Sequence, residues 1–406
     1  MRVIVNQLVA LGRKTGVGFY AAELMRCLRA QAGTDEIVSY PPPWLEGGYA
    51  RLASVWDRLQ GRKARRHAAP PHDTLPALAR RGGTRFVRRL ARHCKSWHFR
   101  FHCWRQPCDV YFEPNYIPFP TELPTVVTVH DLSALLHPEW HPADRVDYFE
   151  EHFSQVLNSR ARFVTVSDAV RQEMIDILGV PPARITRVYN GIRPEFRPLG
   201  DEQVLPVLQR LGLPRQYLLY LGTIEPRKNL LTLLKSYQLL PNAVRERCAL
   251  VLVGGWGWKA GEVADYYQTH ARQCGVIHLG YVASTDLPAL YNGARALVYP
   301  SHYEGFGLPP VEMMACGGAV LASTAAALVE VTAGHSHLID AEDGDGWRAA
   351  MQRVILDDEW LRKLRQGVVE HARCFTWEEC ARGTWRVLRG VRQRTDTIFR
   401  PDRNAA

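Results

Sequence analysis

Read from the N-terminus, short runs of consecutive apolar residues alternate with longer stretches in which apolar positions recur every three or four residues. Runs of three to five apolar residues fit strands of a parallel sheet buried on both faces, and the longer pattern fits helices covering them. In the first half the runs predict strands at Val3–Val5, Ile37–Ser39, Val110–Phe112, Thr125–Val129, Phe163–Val166 and Thr186–Tyr189. Helices are predicted over Phe19–Ala30, Val146–Asn158 and Ala169–Leu178. Ser167 and Asp168 stand between a strand and a helix and read as ordinary N-cap residues. Arg193–Pro206 holds three prolines and a glycine with little periodicity, and reads as a linker. The rhythm restarts with strands at Tyr217–Leu221, Ala249–Val253, Val276–Leu279, Ala296–Tyr299 and Ala319–Ala322. The pattern predicts an α/β protein of two doubly wound halves, each offering a crevice at the carboxyl ends of its strands, with a ligand clamped between them.

Residues 41–105 break the rhythm. Pro41-Pro42-Pro43 opens the segment, and Pro70-Pro71 and Gly82-Gly83 interrupt it. From Arg85 to Arg105, Phe86, Leu90, Trp97, Phe101 and Trp104 interleave with Arg88, Arg89, Arg92, Lys95, Arg100 and Arg105. That composition suits a helix lying on an anionic membrane surface, and equally a domain helix with a solvated basic face. Net charge sharpens the contrast. The chain carries +10, yet residues 51–105 hold fifteen Lys/Arg against Asp57 and Asp73, a local +13, which leaves −3 elsewhere. Basicity confined to one segment, with no nucleic-acid-binding motif, argues against a nucleic-acid partner.

Composition is 46% hydrophobic and 23% charged, ordinary globular usage that excludes disordered, collagen-like and coiled-coil chains. No apolar run approaches the roughly 18–20 residues of a membrane span, and Met1–Gln7 reads as a first strand rather than a signal peptide. A cytoplasmic location is expected. Nine scattered cysteines do not make a disulfide framework. The densest patch, His93, Cys94, His98, His102, Cys103 and Cys108, lacks a CxxC pair and regular ligand spacing, so buried thiols beside a basic helix are expected in preference to a zinc site.

The strongest chemical signal is Ser301–Glu312. It follows a strand, turns through Gly305 and Gly307, and enters a helix with prolines in the first turn. Backbone N–H groups at Gly305–Leu308 could hold a phosphate. Glu304 and Glu312, a carboxylate on the loop and another about one turn into the helix, are poorly suited to bind that anion but well suited to accept hydrogen bonds from hydroxyls. A phosphate flanked by hydroxyl-rich groups is the outline of a nucleotide sugar.

Glu304 and Glu312, with Gly305-Phe306-Gly307-Leu308 between them, resemble the Glu-x7-Glu motif of retaining glycosyltransferases of family GT4, which have the two-Rossmann GT-B fold. Tyr220–Leu230, Ala249–Gly255, Gly280-Tyr281-Val282 with Leu287–Tyr291, and Ala319–Ser323 resemble that family's C-terminal half. Gly16-Val17-Gly18, Val129-His130-Asp131 and Tyr189–Ile192 resemble its N-terminal half. Phe375-Thr376-Trp377 and the run to Val391 resemble its terminal helix, which crosses back onto the first domain. The resemblance implies an N-terminal acceptor domain over 1–195 with the basic insertion at about 41–105, a donor domain over 196–376, and the returning helix over 377–406.

It further implies roles. Glu312 binds the donor ribose and Glu304 the donor sugar; Arg227 and Lys228 neutralise the diphosphate, aided by the backbone of Gly305, Phe306, Gly307 and Leu308. Gly16 and Gly18 form a tight loop beside the donor, and His130 faces the donor sugar. The resemblance implies no metal ligand set and no cofactor. Two departures stand out: Thr223 occupies a position where many relatives have Arg, and Ala326-Ala327-Leu328-Val329-Glu330-Val331 replaces the usual Gly-Leu-Pro-Glu-Val stretch. Glu225–Leu230 resembles bacterial enzymes that add mannose from GDP-mannose during polysaccharide assembly; GDP-rhamnose and UDP-hexoses are the alternatives. The implied acceptor is a glycan, free or lipid-linked, met at the inner face of the plasma membrane. The competing classes are a non-catalytic nucleotide-sugar-binding protein and a different two-Rossmann enzyme.

Overall fold

A computed structural model describes residues 1–11, 16–42, 44–45, 47–48 and 92–398. Six strands form the first sheet: β1 (Arg2–Asn6), β2 (Glu36–Tyr40), β3 (Val110–Glu113), β4 (Thr125–Val129), β5 (Arg162–Thr165) and β6 (Ile185–Arg187), in the order β2-β1-β3-β4-β5-β6. Six more form the second: β7 (Tyr217–Leu221), β8 (Ala249–Val253), β9 (Val276–Gly280), β10 (Ala296–Tyr299), β11 (Ala319–Ser323) and β12 (His337–Ile339), in the order β12-β11-β10-β7-β8-β9. Every strand pairing is parallel. The central strands are largely apolar because helices cover both faces; β10 and β11, for example, are buried at every position.

The helices that matter to the site are α1 (Gly16–Ala30), α2 (92–105), α3 (Ala143–Leu157), α4 (Asp168–Asp176), α5 (Asp201–Arg210), α6 (Leu308–Ala315), α7 (Ala326–Thr332) and α8 (Trp377–Ile398). Two expectations need correction here. The linker read over Arg193–Pro206 ends at Gly200, because α5 starts at Asp201 and carries Pro206 inside it. Gly16 and Gly18 lie in the first turn of α1 rather than in a loop.

The terminal helix returns to the first half. Trp377, Cys380, Ala381, Trp385 and Leu388 share one apolar stripe and pack with Tyr20, Leu24 and Leu28 of α1. The Trp385 indole N–H donates to the Leu28 carbonyl at 3.1 Å. The chain passes between the halves twice, side by side, with Ile192 N donating to the Phe375 carbonyl at 3.0 Å.

Helix α2 is apolar on two sides. Phe99 is fully buried with Tyr40, Tyr111 and Phe119, while Trp97 and Trp104 are 72% and 76% exposed on the other face. Phe101 lies between them, its ring 5.9 Å from Trp97 and 5.8 Å from Trp104. Phe86, Arg88, Arg89 and Leu90 lie outside the described residues. In the His/Cys patch two histidines pack, His98 Nδ1 lying 3.1 Å from the Tyr40 hydroxyl and His102 near the Tyr40 ring, but the thiols are not buried as expected: Cys94 is exposed and Cys103 and Cys108 are half-buried. All nine cysteines are free. Among the described residues no helix is long and apolar enough to cross a membrane, and no group of three or more His, Cys, Asp or Glu is arranged to hold a metal.

Candidate active site between the two sheets

In the second sheet the chain runs outward from β7 to β8 and β9, then returns to place β10 on the other side of β7. The carboxyl ends of β7 and β10 therefore flank the switch point, where open parallel sheets bind ligands. The loops leaving these two strands carry Glu225–Lys228 and Ser301–Gly307. They are tied together, with His302 N donating to the Arg227 carbonyl at 2.8 Å.

Both cations converge on Glu304. Lys228 is 6% exposed; its ammonium donates to the Tyr299 hydroxyl at 2.9 Å and to Glu304 Oε1. Arg227 donates to Glu304 Oε2 at 3.2 Å, to the Tyr303 carbonyl at 3.3 Å and through Nε to Glu225 at 2.6 Å. Ser301 Oγ donates a further bond to Glu304 at 2.7 Å. Burial alone would push the Glu304 carboxyl up, but Lys228 and Arg227 outweigh it and hold the group below its ordinary value. Glu304 is therefore ionised and neutralised within the protein. Arg227 also feels Asp131 across the cleft.

Glu312 sits on α6 with a different environment. Tyr291 donates to its Oε2 at 2.7 Å, and burial raises its carboxyl against the opposing effects of that bond and of Arg193. The start of α6 offers fewer donors than a typical helix, since Pro309 and Pro310 have no N–H. Gly307 caps it at φ +94°, a left-handed conformation that favours glycine. The Phe306 ring turns away into the core, near Tyr189 and Phe375.

From the first half, His130 follows β4. Its Nε2–H donates to the Pro114 carbonyl at 2.8 Å, which leaves Nδ1 as an acceptor. Desolvation lowers its basicity, so the ring is neutral. Gly305 packs directly on this residue: a Cβ there would lie 1.7 Å from the His130 carbonyl oxygen.

The structure thus brings His130, Arg227, Lys228, Glu304 and Gly305 together, with Glu312 one helix turn beyond Leu308. Gly16 and Gly18 stand at the start of α1, and residues 12–15 are outside the described residues. Sequence reasoning missed four contributors. Asp131 has Oδ1 fixed by Ser133 N at 3.1 Å and Ser133 Oγ at 2.8 Å. Glu225 is 3% exposed and orients Arg227, and Tyr291 orients Glu312. Tyr303 reaches into the first half, accepting from Leu132 N at 3.0 Å and donating to Glu173 at 2.6 Å. Adjacency to the motifs was the available signal for Asp131, Glu225 and Tyr303; Tyr291 lies far from Glu312 in sequence.

Two facing parallel sheets, a helix crossing back, and a charged site at the switch point of the second sheet define a GT-B-type architecture. Known proteins agree with that class. The model of Glycosyltransferase Family 4 matches residues 14–196, and that of Glycosyl transferases group 1 matches residues 209–373. The O-antigen chain mannosyltransferase B of Escherichia coli is 35% identical over 91% of this chain and 94% of its own length. The serotype-specific mannosyltransferase WbdA of Escherichia coli is 30% identical over 63% of this chain, which matches 32% of that longer protein. Among solved structures, the sucrose-phosphate synthase of Thermosynechococcus elongatus has a TM-score of 0.71 at 18% identity, covering 96% of this chain and 99% of that one. The Anabaena protein HepE in complex with UDP and glucose has a TM-score of 0.65 at 15% identity, covering 96% and 99%. The chain belongs to family 4 of the glycosyltransferases and has the GT-B fold.

Proposed function

We propose that this glycosyltransferase moves mannose from GDP-mannose to a growing glycan, with retention of anomeric configuration, in the assembly of a bacterial polysaccharide. The observation that carries the donor assignment is the 35% identity, over nearly the full length of both chains, to an O-antigen mannosyltransferase. The site chemistry supports a sugar diphosphate donor. Arg227 and Lys228 supply two buried positive charges for the diphosphate, and charge on that leaving group grows toward the transition state. Glu312, held by Tyr291, accepts the ribose hydroxyls. Glu304 accepts hydroxyls of the donor sugar, and neutral His130 offers Nδ1 from the opposite wall.

No side chain in this reading acts as a covalent nucleophile. The acceptor hydroxyl attacks from the side on which the diphosphate departs, and a diphosphate oxygen takes its proton. Catalysis is then positioning and charge stabilisation, with domain closure excluding water. The acceptor is a lipid-linked glycan. Support for that comes from α2, which sets Trp97, Phe101 and Trp104 on an exposed face beside Lys95, Arg100 and Arg105, suited to the interface of an anionic bilayer.

A screen of GDP-mannose, GDP-rhamnose and UDP-hexoses, read as nucleoside diphosphate release with and without glycan acceptors, tests the reading. Release from GDP-mannose above all others is expected. Preference for another donor would overturn the mannose assignment, and release from none of them would overturn catalysis.

A further inference from the structure

Helix α4 begins where the two halves meet, and its first turn is completed by the opposite half. Ser167 accepts from Val170 N at 3.1 Å, the N-cap bond expected from sequence, but its own hydroxyl proton goes across the cleft to the Gly305 carbonyl at 2.7 Å. The next two N–H groups of the helix, Asp168 N and Ala169 N, donate to the two oxygens of Glu330 on α7 at 2.7 and 2.8 Å. Glu330 also bonds the Tyr189 hydroxyl. A carboxylate facing two free N–H groups at the positive end of a helix is a favourable pairing.

These contacts converge on one loop. Gly305 is pressed against the His130 carbonyl and held through its own carbonyl by Ser167. Tyr303, two residues earlier, is held by Leu132 N and Glu173. Glu304 lies between them, so its backbone is fixed by residues of the first half as well as by its own. A donor sugar lying between His130 and Glu304 requires the halves to separate for entry and to meet again afterwards. The two Glu330 contacts lie at exposed and half-buried positions, where water can replace each partner when the halves part, whereas the Ser167–Gly305 bond is buried while the halves are together.

We propose that Ser167 and Glu330 are positioning residues of the transfer reaction, docking the amino end of α4 onto the Tyr303–Gly305 loop so that Glu304 is set opposite His130 only in the closed state. The assignment of Glu304 and His130 to the donor rests on the function proposed above; the docking itself does not.

The full chain tests it with Ser167→Asp, Ser167→Thr and Glu330→Gln. Aspartate caps a helix as well as serine does, so Ser167→Asp keeps the helix start but has no proton for the Gly305 carbonyl. Threonine keeps the hydroxyl. Small-angle X-ray scattering without donor is expected to show more open Ser167→Asp and Glu330→Gln molecules and a wild-type-like Ser167→Thr. In steady state, kcat should fall up to about tenfold in the two open variants, the scale of one hydrogen bond, with donor KM changing far less, and Ser167→Thr should retain activity. Open variants should also divert more donor to hydrolysis. Scattering curves that match wild type would overturn the docking, and open variants with wild-type kcat would overturn the positioning role. If the wild type turns over no nucleotide sugar, the functional reading fails, while scattering still decides the docking.

Discussion

Removing Glu304 should weaken the fold, tighten nucleotide binding and abolish transfer together. In Glu304→Ala the Lys228 ammonium is left with the Tyr299 hydroxyl, and Arg227 with Glu225 and the more distant Asp131. Breaking a buried ion pair from one side costs about 3–5 kcal/mol, because the remaining charge is stranded. The carboxylates still near Arg227 put the expected loss at the lower end, about 3 kcal/mol. For a unit of this size each kcal/mol moves the melting midpoint by about 2–4 °C, so a drop of about 6–12 °C is expected. A nucleoside diphosphate then meets two cations it no longer shares with a carboxylate. If it recovers about half of the stranded-charge cost, GDP binds the variant about tenfold more tightly than the wild type. Calorimetric melting with and without GDP, together with titration calorimetry, measures both quantities. A Glu304→Ala protein that melts with the wild type, or GDP binding that is equal in both proteins, would refute the stranded charge.

Three further expectations concern other parts of the molecule. Glu312→Ala should weaken GDP binding by about 1.5–3 kcal/mol through loss of charge-assisted bonds to the ribose, whereas Tyr291→Phe, which frees but does not remove the carboxylate, should cost less; equal affinity in a folded Glu312→Ala would refute the ribose assignment. Replacing Trp97 and Trp104 by Ser should release the protein from anionic vesicles without altering GDP binding, and wild-type co-sedimentation should fall with salt; a wild type that ignores such vesicles at low salt would remove the membrane claim. Glu113, 1% exposed at the end of β3, is pushed up to about 7 chiefly by burial, against hydrogen bonds from Tyr111, Asn6 and Asn115 N. Its folded value lies above its unfolded one of about 4.3, so its contribution to stability is full below about pH 4 and is lost as pH rises through 7, by about 4 kcal/mol in all. Denaturant melts of Glu113→Gln should lack that part of the decline, and an unchanged difference between variant and wild type from pH 5 to pH 8 would contradict it.

Local pattern was enough for most of the fold because buried parallel strands advertise themselves. Tyr217–Leu221, Thr125–Val129 and Ala249–Val253 are apolar or β-branched at every position and were read to the residue. His337–Ile339 was not read at all. It is three residues long at a sheet edge, begins with an exposed histidine, and pairs on one side with β11. Pro206 hid α5, although Asp201 and Glu202 stood in its first turn as start signals.

In the site, Glu304 and Glu312 were legible from their placement on one loop and one helix start, and Arg227 and Lys228 only through the family resemblance of Tyr220–Leu230. The partners that set their charge and geometry were not. Ser167 reaches Gly305, and Glu330 reaches Asp168 and Ala169, across 138, 162 and 161 residues of sequence. Such pairs exist only once two separately folded sheets have been brought face to face, and neither local spacing nor periodicity carries that orientation. Ser167 shows the point most clearly: its N-cap role is local and was readable, while its second bond depends on the other half.

The most direct test of the central claim is the anomeric configuration of the product made by the wild-type chain from GDP-mannose and a mannose-containing acceptor, followed by NMR as the bond forms. An α-linked mannose, matching the α-configured donor, accumulating in step with GDP release and absent with Glu304→Ala, is the expected result. A β-linked product, or GDP release that never yields a glycosidic bond, would contradict it.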